Sequence, residues 1–172
     1  IDVLAGAGFK WLLGMAGTGF LYTTETARHS IQPVSPGMYS AQHDFEHLHF
    51  HNDARMYETG TIGNLIFVGW IKGLEIIADF GMPAIVKQNR KLTNRLINGL
   101  KDVHLDVISP HATEQECSAI VAIRKDDIII TEEFCARLHK RNILISERGN
   151  TIRVSPNFFN TEDEIDALLE LI

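Results

Sequence analysis

The sequence predicts a mixed α/β chain built in successive parts. Three observations carry this reading. A glycine-punctuated apolar segment opens the chain, two helical periodicities follow one another between 62 and 100, and β-rich runs alternate with helices from about 103 onward.

Residues 1–22 read as a strand, a Gly-rich turn and a second strand. Gly14, Gly17 and Gly19 surround Thr18, and Gly19-Phe20-Leu21-Tyr22 then begins an apolar run. The cluster lacks the Lys-Ser/Thr ending of a phosphate-binding P-loop. Pro33, Pro36, Gly37 and many polar groups make 29–53 an irregular loop. Over 62–80, Ile66, Trp70, Gly73 and Ile77 recur at helical spacing, with Ile62 and Leu74 close to the same face. Gly81 ends this helix and Pro83 suits the first turn of the next, which Ile85, Leu92, Leu96 and Leu100 carry to about Leu100. Beyond Lys101 the character changes. Segments 103–110 and 117–123 read as strands, and Thr131 begins a helix through Phe134, Leu138 and His139 that Asn142 ends. Short strands at 143–145 and 152–154 flank a turn at Gly149-Asn150. Thr161 and Glu164 form a capping box, with Ile165, Leu168, Leu169 and Ile172 on the inner face of the last helix. The unit from 103 to 172 reads as a small α+β domain.

Composition narrows the function classes. The chain has 172 residues, 45% hydrophobic and 22% charged. A chain of this length buries roughly 70% of its unfolded surface, enough for one domain or two small ones. A formal net charge of -6 argues against a nucleic-acid footprint, which needs a basic face. Cys117 and Cys135 are too few for a disulfide framework; buried inert thiols in a reducing compartment are expected. No apolar run is long enough for a bilayer and the first residues lack the basic start of a signal peptide, so a cytoplasmic protein without membrane contact is expected. The chain does not begin with Met and reads as part of a longer protein.

Four sets of residues could carry chemistry. Lys10 lies in Gly6-Ala7-Gly8-Phe9-Lys10-Trp11-Leu12-Leu13-Gly14, a run with no other charge. Apolar surroundings lower an ammonium's pKa and suit imine chemistry with an aldehyde; the plainer alternative is a lysine that snorkels out of a hydrophobic turn. Gly60 and Thr61 stand before the helix at 62–80, where backbone N–H groups and the dipole attract anions; Thr61 could instead simply cap that helix. Arg153 has apolar neighbours on its strand. Its guanidinium either faces a cleft, where it can grip a carboxylate, or pairs on the surface with an acid after Thr161. His47, His49 and His51, with His43 nearby, would share one face of a strand, but they lie in a Pro-containing loop without cysteine. A polar loop is expected there, and no metal.

Three motifs in order carry a resemblance. Asp2-Val3-Leu4-Ala5-Gly6-Ala7-Gly8-Phe9-Lys10-Trp11-Leu12 is similar to D-x-x-x-x-S-G-H-K-W-L, and the run from Gly17 to Tyr22 is similar to the strand that follows it. Arg55-Met56-Tyr57-Glu58-Thr59-Gly60-Thr61 is similar to R-F-E-x-G-T, with one extra residue between Arg and Glu. The run Ile152-Arg153-Val154-Ser155-Pro156 through Asn160-Thr161-Glu162-Asp163-Glu164-Ile165-Asp166 is similar to R-x-S-x-x-x-Y-N-T-x-E-E-I-D. Across nearly its whole length the chain resembles the class V aminotransferase family of fold type I pyridoxal-phosphate enzymes, which includes cysteine desulfurases, selenocysteine lyases and isopenicillin N epimerase-like proteins.

The resemblance implies an architecture and a set of roles. Residues 1–60 would be the tail of a fold type I large domain, 61–101 linking helices, and 102–172 a small C-terminal α+β domain. Lys10 would form a Schiff base with pyridoxal 5'-phosphate and, once free, carry the Cα proton. Gly60 and Thr61 would bind the cofactor phosphate across a homodimer interface, and Arg153 would hold the α-carboxylate of an amino-acid substrate. Transamination, Cα epimerisation or β-elimination is the expected reaction. Ala7 and Phe9 replace the family's Ser and His beside the lysine, removing a hydroxyl at the phosphate and a polar ring. Residues 143–152 contain no cysteine, which disfavours a cysteine desulfurase or selenocysteine lyase. The family's upstream half, with the carboxylate that pairs with the pyridine nitrogen, is not in these residues, so this segment alone is expected to be a poor catalyst. The rival reading is a non-catalytic piece with a structural or dimerisation role.

Overall fold

Antiparallel pairing begins at once. Strand β1 (Val3–Ala7) pairs with β2 (Gly19–Thr23), Val3 opposite Thr23 and Ala7 opposite Gly19, as the glycine pattern predicts. The computed structural model describes residues 1–43, 47–124, 132–148 and 151–172. They gather into two compact units, Ile1–Asp79 and Phe80–Ile172.

In the first unit, Thr24 caps a short helix, α1 (Glu25–Ser30), its hydroxyl accepting from the Ala27 N–H at 3.2 Å. The segment expected to be an irregular loop is more ordered than its prolines suggest. Strand β3 (Ala41–His43) pairs antiparallel with β4 (Leu48–Phe50), and a 3-10 turn follows at Ala54–Tyr57. Asp53 caps that turn: its carboxylate accepts from the Arg55 N–H at 3.0 Å and from the Arg55 guanidinium. Helix α2 (Asn64–Phe80) begins two residues later than the periodicity predicts. Its Trp70 and Gly73 are buried and Ile66 and Ile77 half-buried, which is the predicted face; Ile62 and Leu74 remain exposed.

The second unit is organised by helix α3 (Met82–Asp102). Gly81 precedes it with φ 79°, a conformation that favours glycine, and Pro83 occupies the first turn. Leu92, Leu96 and Leu100, spaced i, i+4, are fully buried. They meet one face of a three-stranded antiparallel sheet of order β5-β7-β6, made of β5 (Val121–Arg124), β6 (Ser146–Arg148) and β7 (Thr151–Val154). Side chains alternate across a strand, so Val121, Ile123, Ile152 and Val154 all point into this core. Helices α4 (Glu132–Lys140) and α5 (Glu162–Leu169) add Phe134, Leu138, Ile165 and Leu168.

The capping box at α5 forms as predicted: the Thr161 hydroxyl accepts from the Glu164 N–H at 3.3 Å, and the Glu164 carboxylate accepts from the Thr161 N–H at 2.8 Å. The Thr161 N–H, joined by the Asn160 side-chain N–H at 3.1 Å, donates to the ionised form and holds the Glu164 carboxyl below its usual value. Asn142 ends the helical segment in the left-handed region, φ 55°. Three strand expectations are corrected. The stretch 103–110 contributes a single bridge, Val107 to Ile123, and β5 starts only at Val121. The strand expected at 143–145 is β6, three residues later, because the register with β7 pairs Ser146 with Arg153. Thr131, Gly149 and Asn150 lie outside the described residues.

Candidate active site

Lys10 sits in the connection from β1 to β2, and that connection is a braced turn. Its backbone folds back on itself: Gly8 N–H donates to Thr18 C=O at 2.9 Å, Gly14 N–H to Gly8 C=O at 2.8 Å, and Leu13 N–H to Lys10 C=O at 3.1 Å. The Thr18 hydroxyl closes the far side by donating to Met15 C=O at 2.7 Å.

Helix α2 then holds the turn from beneath. The Trp70 indole N–H donates to Leu12 C=O at 3.1 Å. The indole ring lies so close to Gly8 and Gly14 that a Cβ at either would meet it at 2.8 Å. A Cβ at Gly73 would meet the Leu13 carbonyl oxygen at 2.6 Å, so only glycine lets the turn approach the helix. Leu13 itself has φ 55°, a left-handed conformation that costs a bulky residue about 1–3 kcal/mol and persists only when its surroundings enforce it.

Of the two readings of Lys10, its exposure is that of a lysine that snorkels out of a hydrophobic turn. Its apolar sequence neighbours do not surround the ammonium. Trp11, Leu12 and Leu13 are half-buried, whereas Lys10 is exposed with its ammonium 5.4 Å from the Phe9 ring centroid. No carboxylate among the described residues pairs with it. The turn therefore presents a primary amine on a rigid backbone rather than burying one.

Gly60 and Thr61 lie in the irregular stretch before α2. Both are exposed, and a Cβ added to Gly60 would touch nothing within 4 Å. The helix starts at Asn64, so Thr61 does not cap it, and that alternative is set aside. Arg55, in the same motif, is engaged with Asp53 on the exposed surface. The Arg55 guanidinium and N–H favour the ionised form of Asp53 and pull its carboxyl down to about 2.

Arg153 stands in the middle strand of the second unit's sheet, opposite Ser146 on one side and Ala122 on the other. Ile152 and Val154 face the core, so Arg153 faces away from it. The expected alternative, a surface ion pair with an acid after Thr161, does not form. Helix α3 takes two of those acids: Lys91 and Arg95 pair with Glu162, and Arg95 also grips Asp166, holding its carboxyl below the ordinary range. Arg153 is left with its Nε buried and without a hydrogen-bond partner. A groove of about 410 Å³ in this unit, lined by Ile143, Leu144, Ile145, Val154, Ser155 and Pro156 among others, does not include Arg153.

The histidines are arranged along β4 and its flanks, with the His47 and His49 rings 6.0 Å apart. Among the described residues no three His, Cys, Asp or Glu side chains stand close enough to share a metal. Cys117 is a half-buried free thiol, and the Cys135 side chain lies outside the described residues. No described helix is long and apolar enough to cross a membrane. Sequence reasoning missed Trp70 as a support of the lysine turn. Its periodicity marked it only as a core residue, and no local signal ties it to a turn 58 positions away.

The profile of the family described as Aminotransferase class-V matches residues 1–168. The uncharacterized aminotransferase YcbU of Bacillus subtilis is 24% identical over 172 residues, covering 100% of this chain and 45% of the relative. The isopenicillin N epimerase of Streptomyces clavuligerus is 26% identical over 187 residues, covering 99% of this chain and 46% of the relative. Among solved structures, apo cysteine desulfurase from Thermococcus onnurineus superposes with a TM-score of 0.85 at 21% identity, over 99% of this chain and 46% of its own. A C-DES variant with glycine covalently linked to its pyridoxal-phosphate cofactor gives a TM-score of 0.85 at 20% identity, over 99% of this chain and 45% of its own.

The fold is thus that of one part of the fold type I pyridoxal-phosphate enzymes. The chain belongs to the class V aminotransferase family. It spans about 45% of the length of the curated relatives it matches.

Proposed function

We propose that this chain supplies the lysine, the phosphate loop and the carboxylate-binding arginine of a pyridoxal-phosphate-dependent enzyme that acts on an amino acid. The observation that carries the reading is the exposed Lys10 amine on a turn braced by Trp70 and Gly73. The donor set fits the cofactor: a primary amine without a carboxylate partner among the described residues, open backbone at Gly60, and a hydroxyl on Thr61. Lys10 would hold the aldehyde end; Gly60 and Thr61 would hold the phosphate, from the second subunit of a homodimer. When bound, the cofactor supplies an electron sink for charge that develops at Cα.

The remaining work falls to side chains. Arg153 anchors the α-carboxylate by two parallel hydrogen bonds and so fixes which bond at Cα is aligned for cleavage. The Lys10 amine, once free, would take the Cα proton. Transamination, epimerisation and β-elimination share this abstraction; they part afterwards, since transamination needs the proton at another atom, epimerisation needs one delivered to the opposite face of Cα, and β-elimination expels the β-substituent. Desulfuration needs in addition a nucleophilic thiol, and residues 143–152 carry none.

The test is spectroscopic. Purified protein mixed with pyridoxal 5'-phosphate should develop a visible absorption band that borohydride bleaches, and Lys10→Ala should abolish it. Absence of the band in the unsubstituted protein, or its persistence in Lys10→Ala, refutes the proposal. Arg153→Ala should keep the band and weaken binding of carboxylate ligands.

A further inference from the structure

Arg153 has a neighbour of the same kind. Strand β6 pairs with β7 so that Ser146 stands opposite Arg153 and Arg148 opposite Thr151. Paired residues share a face, and Thr151 and Arg153, two apart on one strand, share it too. Arg148 and Arg153 are therefore diagonal neighbours on the sheet face that points away from the core. Such positions have Cβ atoms roughly 7–8 Å apart, within reach of long side chains.

The two differ from most arginines of this unit. Arg90 pairs with Glu114, Arg95 with Asp166 and Glu162, Arg141 with Glu170, and Arg124 lies 3.9 Å from Asp106. Arg137 donates to the Leu171 carbonyl. Arg148 and Arg153 have no carboxylate partner among the described residues. Arg148 donates only to the carbonyl of Glu147, its neighbour in the chain, at 3.1 Å, and the Arg153 Nε is buried with no acceptor. In a unit that neutralises four arginines with its own acids, two guanidiniums on neighbouring strands without a carboxylate among the described residues favour an external anion between them. Two side chains of this reach on diagonal positions can meet two carboxylates of one small molecule.

We infer that Arg148 is the specificity-determining residue for the substrate side chain, and that the substrate is an amino acid carrying a second carboxylate. Arg153 takes the α-carboxylate, as in the function proposed above, on which this assignment rests. Arg148 takes the side-chain carboxylate from the adjacent strand, its planar fork matching the two oxygens. An uncharged side chain would leave Arg148 without a partner, and a cationic one would be repelled.

The test uses two ligands of equal carbon number and needs no turnover. Succinate carries both carboxylates and butyrate carries one. Their affinities for the complete protein are measured by calorimetry or NMR shift titration. The unsubstituted protein should bind succinate about 10-fold more tightly than butyrate or better. Arg148→Ala should bring succinate down to the level of butyrate measured on the same variant, with an unchanged circular dichroism spectrum showing that the sheet remains folded. Arg148→Lys should restore part of the preference. Equal affinities in the unsubstituted protein, or a preference that survives Arg148→Ala, overturn the assignment. If Arg153→Ala leaves butyrate binding intact, the α-carboxylate role of Arg153 fails, and the inference falls with it for that separate reason.

Discussion

Replacing Trp70 by phenylalanine should loosen the turn that presents Lys10 while leaving the rest of the fold in place. The indole does two things at once: its N–H satisfies the Leu12 carbonyl at 3.1 Å, and its ring fills the space above Gly8 and Gly14. Phenylalanine keeps most of the ring and deletes the donor, leaving a carbonyl under the turn without its partner. That costs about 1–3 kcal/mol, or roughly a 5- to 150-fold change in an opening equilibrium. The amides of Leu13 and Gly14 report it directly, since their bonds to the Lys10 and Gly8 carbonyls exist only while the turn is closed. Native-state hydrogen exchange at those two amides should accelerate by that factor, with little change at the α3 amides in the other unit. Trp70→Ala removes the ring as well and should cost about 3–5 kcal/mol. Unchanged exchange at Leu13 and Gly14 in Trp70→Phe would mean that the indole does not hold the turn, and the account of a rigidly presented amine would fail.

Two further outcomes test other parts of the structure. Leu96 is fully buried between α3 and the sheet, so Leu96→Ala should destabilise the second unit by about 2–5 kcal/mol in a denaturant titration followed by circular dichroism; a loss below about 1 kcal/mol would contradict the packing described. Asp53 titrates at about 2 rather than its ordinary 3.8 because Arg55 binds its ionised form. A depressed folded-state value means that the stabilisation is complete above pH 4 and disappears as pH falls through about 2. Both groups are exposed, so the loss should appear in the local turn at Ala54–Tyr57 rather than in global unfolding. A carboxyl ¹³C titration of Asp53 with its midpoint near 3.8 would refute the pairing.

What was legible in the sequence shares a physical character: it depends on residues close together in the chain. The Thr161–Glu164 box is closed by bonds spanning three residues, Gly81 and Pro83 act on their own backbone angles, and the i, i+4 leucines of α3 define a face whatever covers it. The β1–β2 hairpin was visible for the same reason, because the glycines that permit its connection lie within it. Lys10, Gly60, Thr61 and Arg153 were candidates from short motifs, and their roles belong to the function proposed above.

Tertiary structure decided the rest. A strand is stabilised by its partner, so β6 could be placed at Ser146–Arg148 rather than 143–145 only through its register with β7. The acids after Thr161 looked available to Arg153 until α3 packed against α5 and brought Lys91 and Arg95 to them. The support of the Lys10 turn was likewise not visible in its sequence neighbours: the residue that braces it, Trp70, is 58 positions from Leu12. Local order follows from short-range bonds written in consecutive residues. Which charge stays unpaired, and which amine is held out to solvent, depends on contacts between distant segments that exist only once the chain has folded.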